Sequence, residues 1–126
     1  MKEITEDYVS FETAKLLKEK GFDEPVMYHF TPDGAQRKFQ QAFYKDDIAQ
    51  PTLQMALKWL MEVKHYYIQV RLDSWSCRDH IVYFVIIQKT DSDFELMLQE
   101  GARPVFYATP EEAYEDAINY CLEDLI

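Results

Sequence analysis

The chain has 126 residues, 48% of them hydrophobic and 15% aromatic, and a formal net charge of −10. That length supports a single domain, residues 1–126, whose core needs no metal or disulfide staple, and the apolar fraction excludes the disordered class. The acidity is local: residues 1–89 carry 12 Lys and Arg against 13 Asp and Glu, a net of −1, whereas residues 90–126 carry Arg103 alone against 10 acids, a net of −9. Direct nucleic-acid binding is disfavoured, because phosphate contacts draw on clustered Lys and Arg.

The longest apolar run, Ile81 to Ile87, is far shorter than the roughly 20 residues a helix needs to cross a bilayer. The start, Met1-Lys2-Glu3-Ile4-Thr5-Glu6-Asp7, has acids where a secretory signal has a basic and then an apolar stretch. A cytoplasmic protein without membrane contact is expected. Cys77 and Cys121 stand far apart with no paired spacing, which suits a reducing compartment better than a disulfide framework.

In chain order, residues 10–20 read as a helix capped by Ser10 and ended by Gly21, with Phe11, Ala14 and Leu17 on its inner stripe and Phe22 packing back. Val26 to Phe30 alternates as a strand, which leaves His29 facing solvent, and Thr31-Pro32-Asp33-Gly34 turns the chain into a polar edge strand from Gln36 to Phe43. Pro51 at the first helical position opens a second helix with Leu53, Ala56, Leu57, Leu60 and Met61 in one stripe, widened by Met55 and Trp59. After Val63 the period changes to two, with Ile68, Val70 and Leu72 opposing Tyr67, Gln69 and Arg71. His80 to Gln88 is apolar on both faces and should be a central strand, followed by an antiparallel strand from Phe94 to Leu98 and a short extended piece from Val105 to Tyr107. Thr109-Pro110-Glu111-Glu112 then starts a last helix, with Ala113, Ala117 and Cys121 inward and Glu112, Glu115, Asp116, Glu123 and Asp124 outward. The order α-β-β-α-β-β-(β)-α predicts an α+β fold: two layers, three helices on a mainly antiparallel sheet of four to five strands.

The wording of "SFETAKLLKEKGFDEP", "PTLQMALKWL" and "TPEEAYEDAINYCLEDLI" resembles a set of short hypothetical proteins of gut Bacteroidales and their phages or mobile elements. The likeness covers the three helices and includes Lys58-Trp59-Leu60 and Glu111-Glu112-Ala113-Tyr114-Glu115. It implies a gene context and no mechanism.

Cys, His, Asp and Ser cluster in the stretch Asp73 to His80. A thiol nucleophile at Cys77, lowered by Arg78 and served by His80, has the right residue types, but no oxyanion-type segment lies beside it. A metal site there lacks the second ligand pair that zinc sites use, so no metal is expected. Isolated Gly21, Gly34 and Gly101 build no phosphate cradle, and no cofactor is expected. His65, just after the second helix, suits the negative end of its dipole.

Aromatics remain: Tyr8, Tyr44, Tyr66, Tyr67, Trp75, Tyr107 and Tyr114 exceed what a small core buries. The favoured expectation is a small acidic protein-binding or regulatory module, engaging a protein partner or a second copy of itself through Trp59, Tyr66, Trp75, Glu112, Glu115 and Asp116. The alternatives are a small enzyme using Cys77 with His80, and an acidic mimic of DNA that occupies a basic groove.

Overall fold

A computed structural model describes residues 7–38, 46–73 and 81–126. Local signals set the helices. In α1 (Phe11–Glu19) the Ser10 hydroxyl accepts the Thr13 N–H, and at the other end Gly21 takes φ +99°. There the Phe22 N–H donates to the Leu17 carbonyl at 2.9 Å and the Gly21 N–H to the Lys18 carbonyl at 3.2 Å, a Schellman closure with buried Phe22 as its apolar partner. A Cβ on Gly21 would meet no neighbour, so the barrier to substitution is purely conformational. Gly21→Ala should therefore lower the unfolding free energy by about 1 kcal/mol in urea titration; a neutral result would mean that the turn relaxes out of the left-handed region.

The second helix, α2 (Leu53–Val63), begins two residues later than the proline suggests. Thr52 is its cap, with its hydroxyl accepting the Met55 N–H, and buried Pro51 precedes the helix instead of opening it. The Pro51 carbonyl is free to accept the Val9 N–H, which draws the N-terminal segment alongside; the Leu53 N–H then donates to the Asp7 carbonyl. At the far end His65 adopts φ 67°, a position usually given to glycine or asparagine. The third helix, α3 (Pro110–Tyr120), starts as its motif predicts, with the Thr109 hydroxyl accepting the Glu112 N–H, and runs on into a π-helical turn (Cys121–Leu125).

The α+β class stands, but the single sheet divides. A small antiparallel sheet orders β2-β1-β3 from β1 (Tyr28–Phe30), β2 (Gln36–Lys38) and β3 (Ile48–Gln50). A larger one orders β4-β5-β6 from β4 (Tyr66–Asp73), β5 (Val82–Lys89) and β6 (Glu95–Met97), with β5 central as its two apolar faces require. A ribbon of β7 (Gln99–Glu100) and β8 (Arg103–Pro104) follows, and Tyr107 closes on Tyr83 through two backbone hydrogen bonds of 2.8 and 2.9 Å. Helix α2 intervenes between the two sheets in sequence, so β3 returns to β1 instead of extending the larger sheet.

The core joins Leu17 of α1, Leu60 of α2 and Ile118 and Leu122 near the C-terminus to Ile68, Val85 and Ile87 on the inner face of the larger sheet. Trp59 is part of it, edge-on to Phe22. His29 is a correction: it is 1% exposed, not solvent-facing. β1 is the central strand of its sheet, and His29 Nε2 meets Asp47 Oδ2 at 3.0 Å, with both side chains buried.

Candidate functional site

Four of the ten acids in the C-terminal third, all on α3, line one trough. Because Tyr8 bridges to Thr52 and Asp7 to Leu53, the N-terminal segment lies along the start of α2, facing the first turns of α3. Between them runs a half-open cleft of about 490 Å³ lined by Asp7, Leu53, Leu57, Glu111 and Tyr114. It continues into a shallower depression of about 580 Å³ lined by Tyr8, Tyr107, Glu112, Glu115, Asp116 and Asn119. Five carboxylates and three tyrosines thus share one surface.

Two of those carboxylates are already engaged within the molecule. Glu115, read from the sequence as outward, is half-buried: one of its oxygens accepts the Ser10 N–H at 2.9 Å and the Thr13 hydroxyl at 2.7 Å. Buried Thr13 also lies 2.7 Å from the Asn119 amide. A hydroxyl has one proton to give, and of its two acceptors here, the Glu115 carboxylate and the Asn119 Oδ1, the charged one holds it more strongly. The cluster ties the start of α1 to the middle of α3 and brings negative charge to the positive end of the α1 dipole.

Asp116 is exposed and accepts the Tyr107 hydroxyl. Burial, reinforced by that carboxylate, holds the Tyr107 phenol well above its ordinary value, so it remains a donor throughout the neutral range. Glu111 and Glu112 are exposed at the N-terminal turn of α3. They point charge into the trough.

The remaining candidates lie elsewhere. Trp59 is buried under Lys64, whose ammonium stands 5.6 Å from the ring, and it borders a separate groove of about 320 Å³ with Phe22, Pro25, Met55 and Val63. Tyr66 is on the inner face of β4, where its hydroxyl donates to the Leu125 carbonyl at 3.2 Å and its ring meets Phe94 edge-on. Its position fastens the C-terminal turn to the larger sheet. Trp75, Cys77 and His80 fall outside the described residues. Cys121 is fully buried in the core, where burial pushes its thiol up to about 12, a setting for packing and not for nucleophilic attack. Among the described residues no group of three His, Cys, Asp or Glu side chains is placed to hold a metal ion, and no helix is long and apolar enough to cross a membrane.

Comparison with protein-family models, curated proteins and solved structures gives no match. The reading of the trough rests on its own chemistry. Sequence inspection names the α3 acids but not Asp7 or Tyr8 as their neighbours, because only the pairing of those two with Leu53 and Thr52 brings them alongside. A carboxylate-rich surface with tyrosine bodies and polar tips can hold a cationic chain by charge and by stacking on its aliphatic stems.

Proposed function

We propose that this protein is a small binding module that holds a Lys/Arg-rich segment of a protein partner in the acidic, tyrosine-lined trough along α3. The observation that carries this reading is the convergence of Asp7, Glu111, Glu112, Glu115 and Asp116 with Tyr8, Tyr107 and Tyr114 on one open surface. Glu115 and Asp116 shape that surface through their internal bonds, and Glu111 and Glu112 supply its uncommitted charge. A gene context in a phage or mobile element of a gut anaerobe, implied by the wording of the helices, suits a module directed at a host protein.

The test uses charge without disturbing the internal bonds. Glu111→Gln with Glu112→Gln should weaken binding of a fluorescent Lys/Arg-rich peptide about tenfold at low salt, and the difference from wild type should shrink as salt rises. Thermal stability should fall by less than about 1 kcal/mol, the worth of two charges at a helix N-terminus. Equal anisotropy titrations for the two proteins at low salt would remove the trough from consideration.

A further inference from the structure

The outer face of the larger sheet is built differently from the rest of this acidic chain. Helices α2 and α3 cover its inner face, against Ile68, Val70, Val85 and Ile87. The alternate residues face outward in register: Tyr67 beside Gln88 beside Glu95, Gln69 beside Ile86 beside Met97, and Arg71 beside Phe84. Ile86 is 6% exposed yet stands apart from the core cluster, which marks it as the centre of a second, outward apolar patch. Tyr67, Arg71, Glu95 and Met97 around it are exposed.

Polar side chains cross this patch as a directed chain. Arg71 donates to the Gln69 carbonyl oxygen at 2.8 and 3.1 Å, Gln69 donates to Gln88, and Gln88 donates to Glu95 at 2.9 Å. The positive end and the negative end therefore lie diagonally across the face, with Arg71 on β4 and Glu95 on β6. These eight positions hold one Arg and one Glu, a net of zero on a chain of net −10, with Asp73 following Arg71 on the same side of β4.

That arrangement is self-complementary. A two-fold axis parallel to the sheet and just outside it, passing over Ile86 along the diagonal on which Tyr67 lies, lays a second copy face to face on the first. It places Arg71 on Glu95 of the other copy, Phe84 on its Met97, Gln69 on its Gln88, and Ile86 on its own equivalent. Strand spacing of about 4.8 Å against about 6.8 Å per residue pair leaves offsets of only about 2–3 Å, within reach of these side chains. The resulting crossing near 90° is one of the two ways in which sheets stack. The net charge elsewhere opposes contact between copies, and α3 lies behind the sheet, away from this face.

We propose that the outer face of β4-β5-β6 is a homodimer interface with this diagonal two-fold symmetry. It is independent of the trough, which stays open in the dimer. Three short strands cover less than the roughly 800 Å² per partner of a standard interface, so the dimer belongs to the weak class.

Charge exchange tests it. Sedimentation velocity on wild type over a concentration series up to about 1 mM should show a monomer–dimer equilibrium with a dissociation constant on the order of 10–100 µM. Arg71→Glu alone and Glu95→Arg alone each oppose like charges across the axis and should weaken the dimer at least tenfold, whereas the double variant Arg71→Glu/Glu95→Arg should restore it. Met97→Lys, at an exposed position, should weaken it similarly while circular dichroism and melting stay those of wild type. A chain that stays monomeric throughout, or a double variant no better than the singles, overturns the proposal.

Discussion

Replacing Asp47 with alanine is expected to lower the unfolding free energy by about 2 kcal/mol, the scale for deleting one partner of a buried polar contact. The side chains of His29 and Asp47 are 1% and 2% exposed, so water cannot take over the lost contact. The backbone beside it is also held, since the Lys18 ammonium donates to the Asp47 carbonyl at 3.2 Å. That bond survives the substitution, which confines the loss to the carboxylate. In urea titration, His29→Leu combined with Asp47→Ala should recover part of the loss, because the buried imidazole that faced the carboxylate is replaced by an apolar side chain. A double-mutant cycle with coupling under about 0.5 kcal/mol would show that the pair contributes nothing beyond packing.

The second large effect is alkaline. The Cys121 thiol is held up to about 12 by burial, whereas a thiol in the unfolded chain titrates near about 8.5. Above that lower value the unfolded state sheds a proton that the folded state keeps, so stability is full below about pH 8.5 and declines as pH rises toward 12. Between pH 7.5 and 10 this one group should remove about 2 kcal/mol, by the linkage relation. Cys121→Ala will cost stability at neutral pH through the cavity it leaves in the core, yet its decline over the same interval should be smaller by that amount. Parallel urea titrations at the two pH values, compared as differences, separate the two effects. An unchanged decline in the variant would show that Cys121 ionises freely in the folded protein.

Neither effect could be read from the chain, for related reasons. Alternation along Val26 to Phe30 assigns His29 to the solvent side of a two-sided strand, which is right only if one side is open. The three residues Ile48-Ala49-Gln50 are too few to show a period, and they supply the strand that pairs with β1 and brings Asp47, just before it, to His29. The inward turn of Cys121 was legible, since it shares a stripe with Ala113 and Ala117. Its depth depends on the sheet beneath.

What the sequence determined by itself is whatever local geometry decides. Ser10, Thr109 and Pro110 fix where helices begin, Gly21 fixes where the first one ends, and the alternating apolar residues of Val82 to Gln88 make that strand central. The concentration of acids in the last third is equally a property of the chain alone. Tertiary structure decided which of those acids stay available, because Glu115 is taken by Ser10 and Thr13 from a helix about a hundred positions away. It decided that Asp7 and Tyr8 join them, through pairing with residues 52 and 53. It also decided the polar diagonal from Arg71 to Glu95, which exists only in the register of three strands and has no counterpart in linear spacing. Caps and periods are set by neighbours along the chain; troughs and faces are set by neighbours across it.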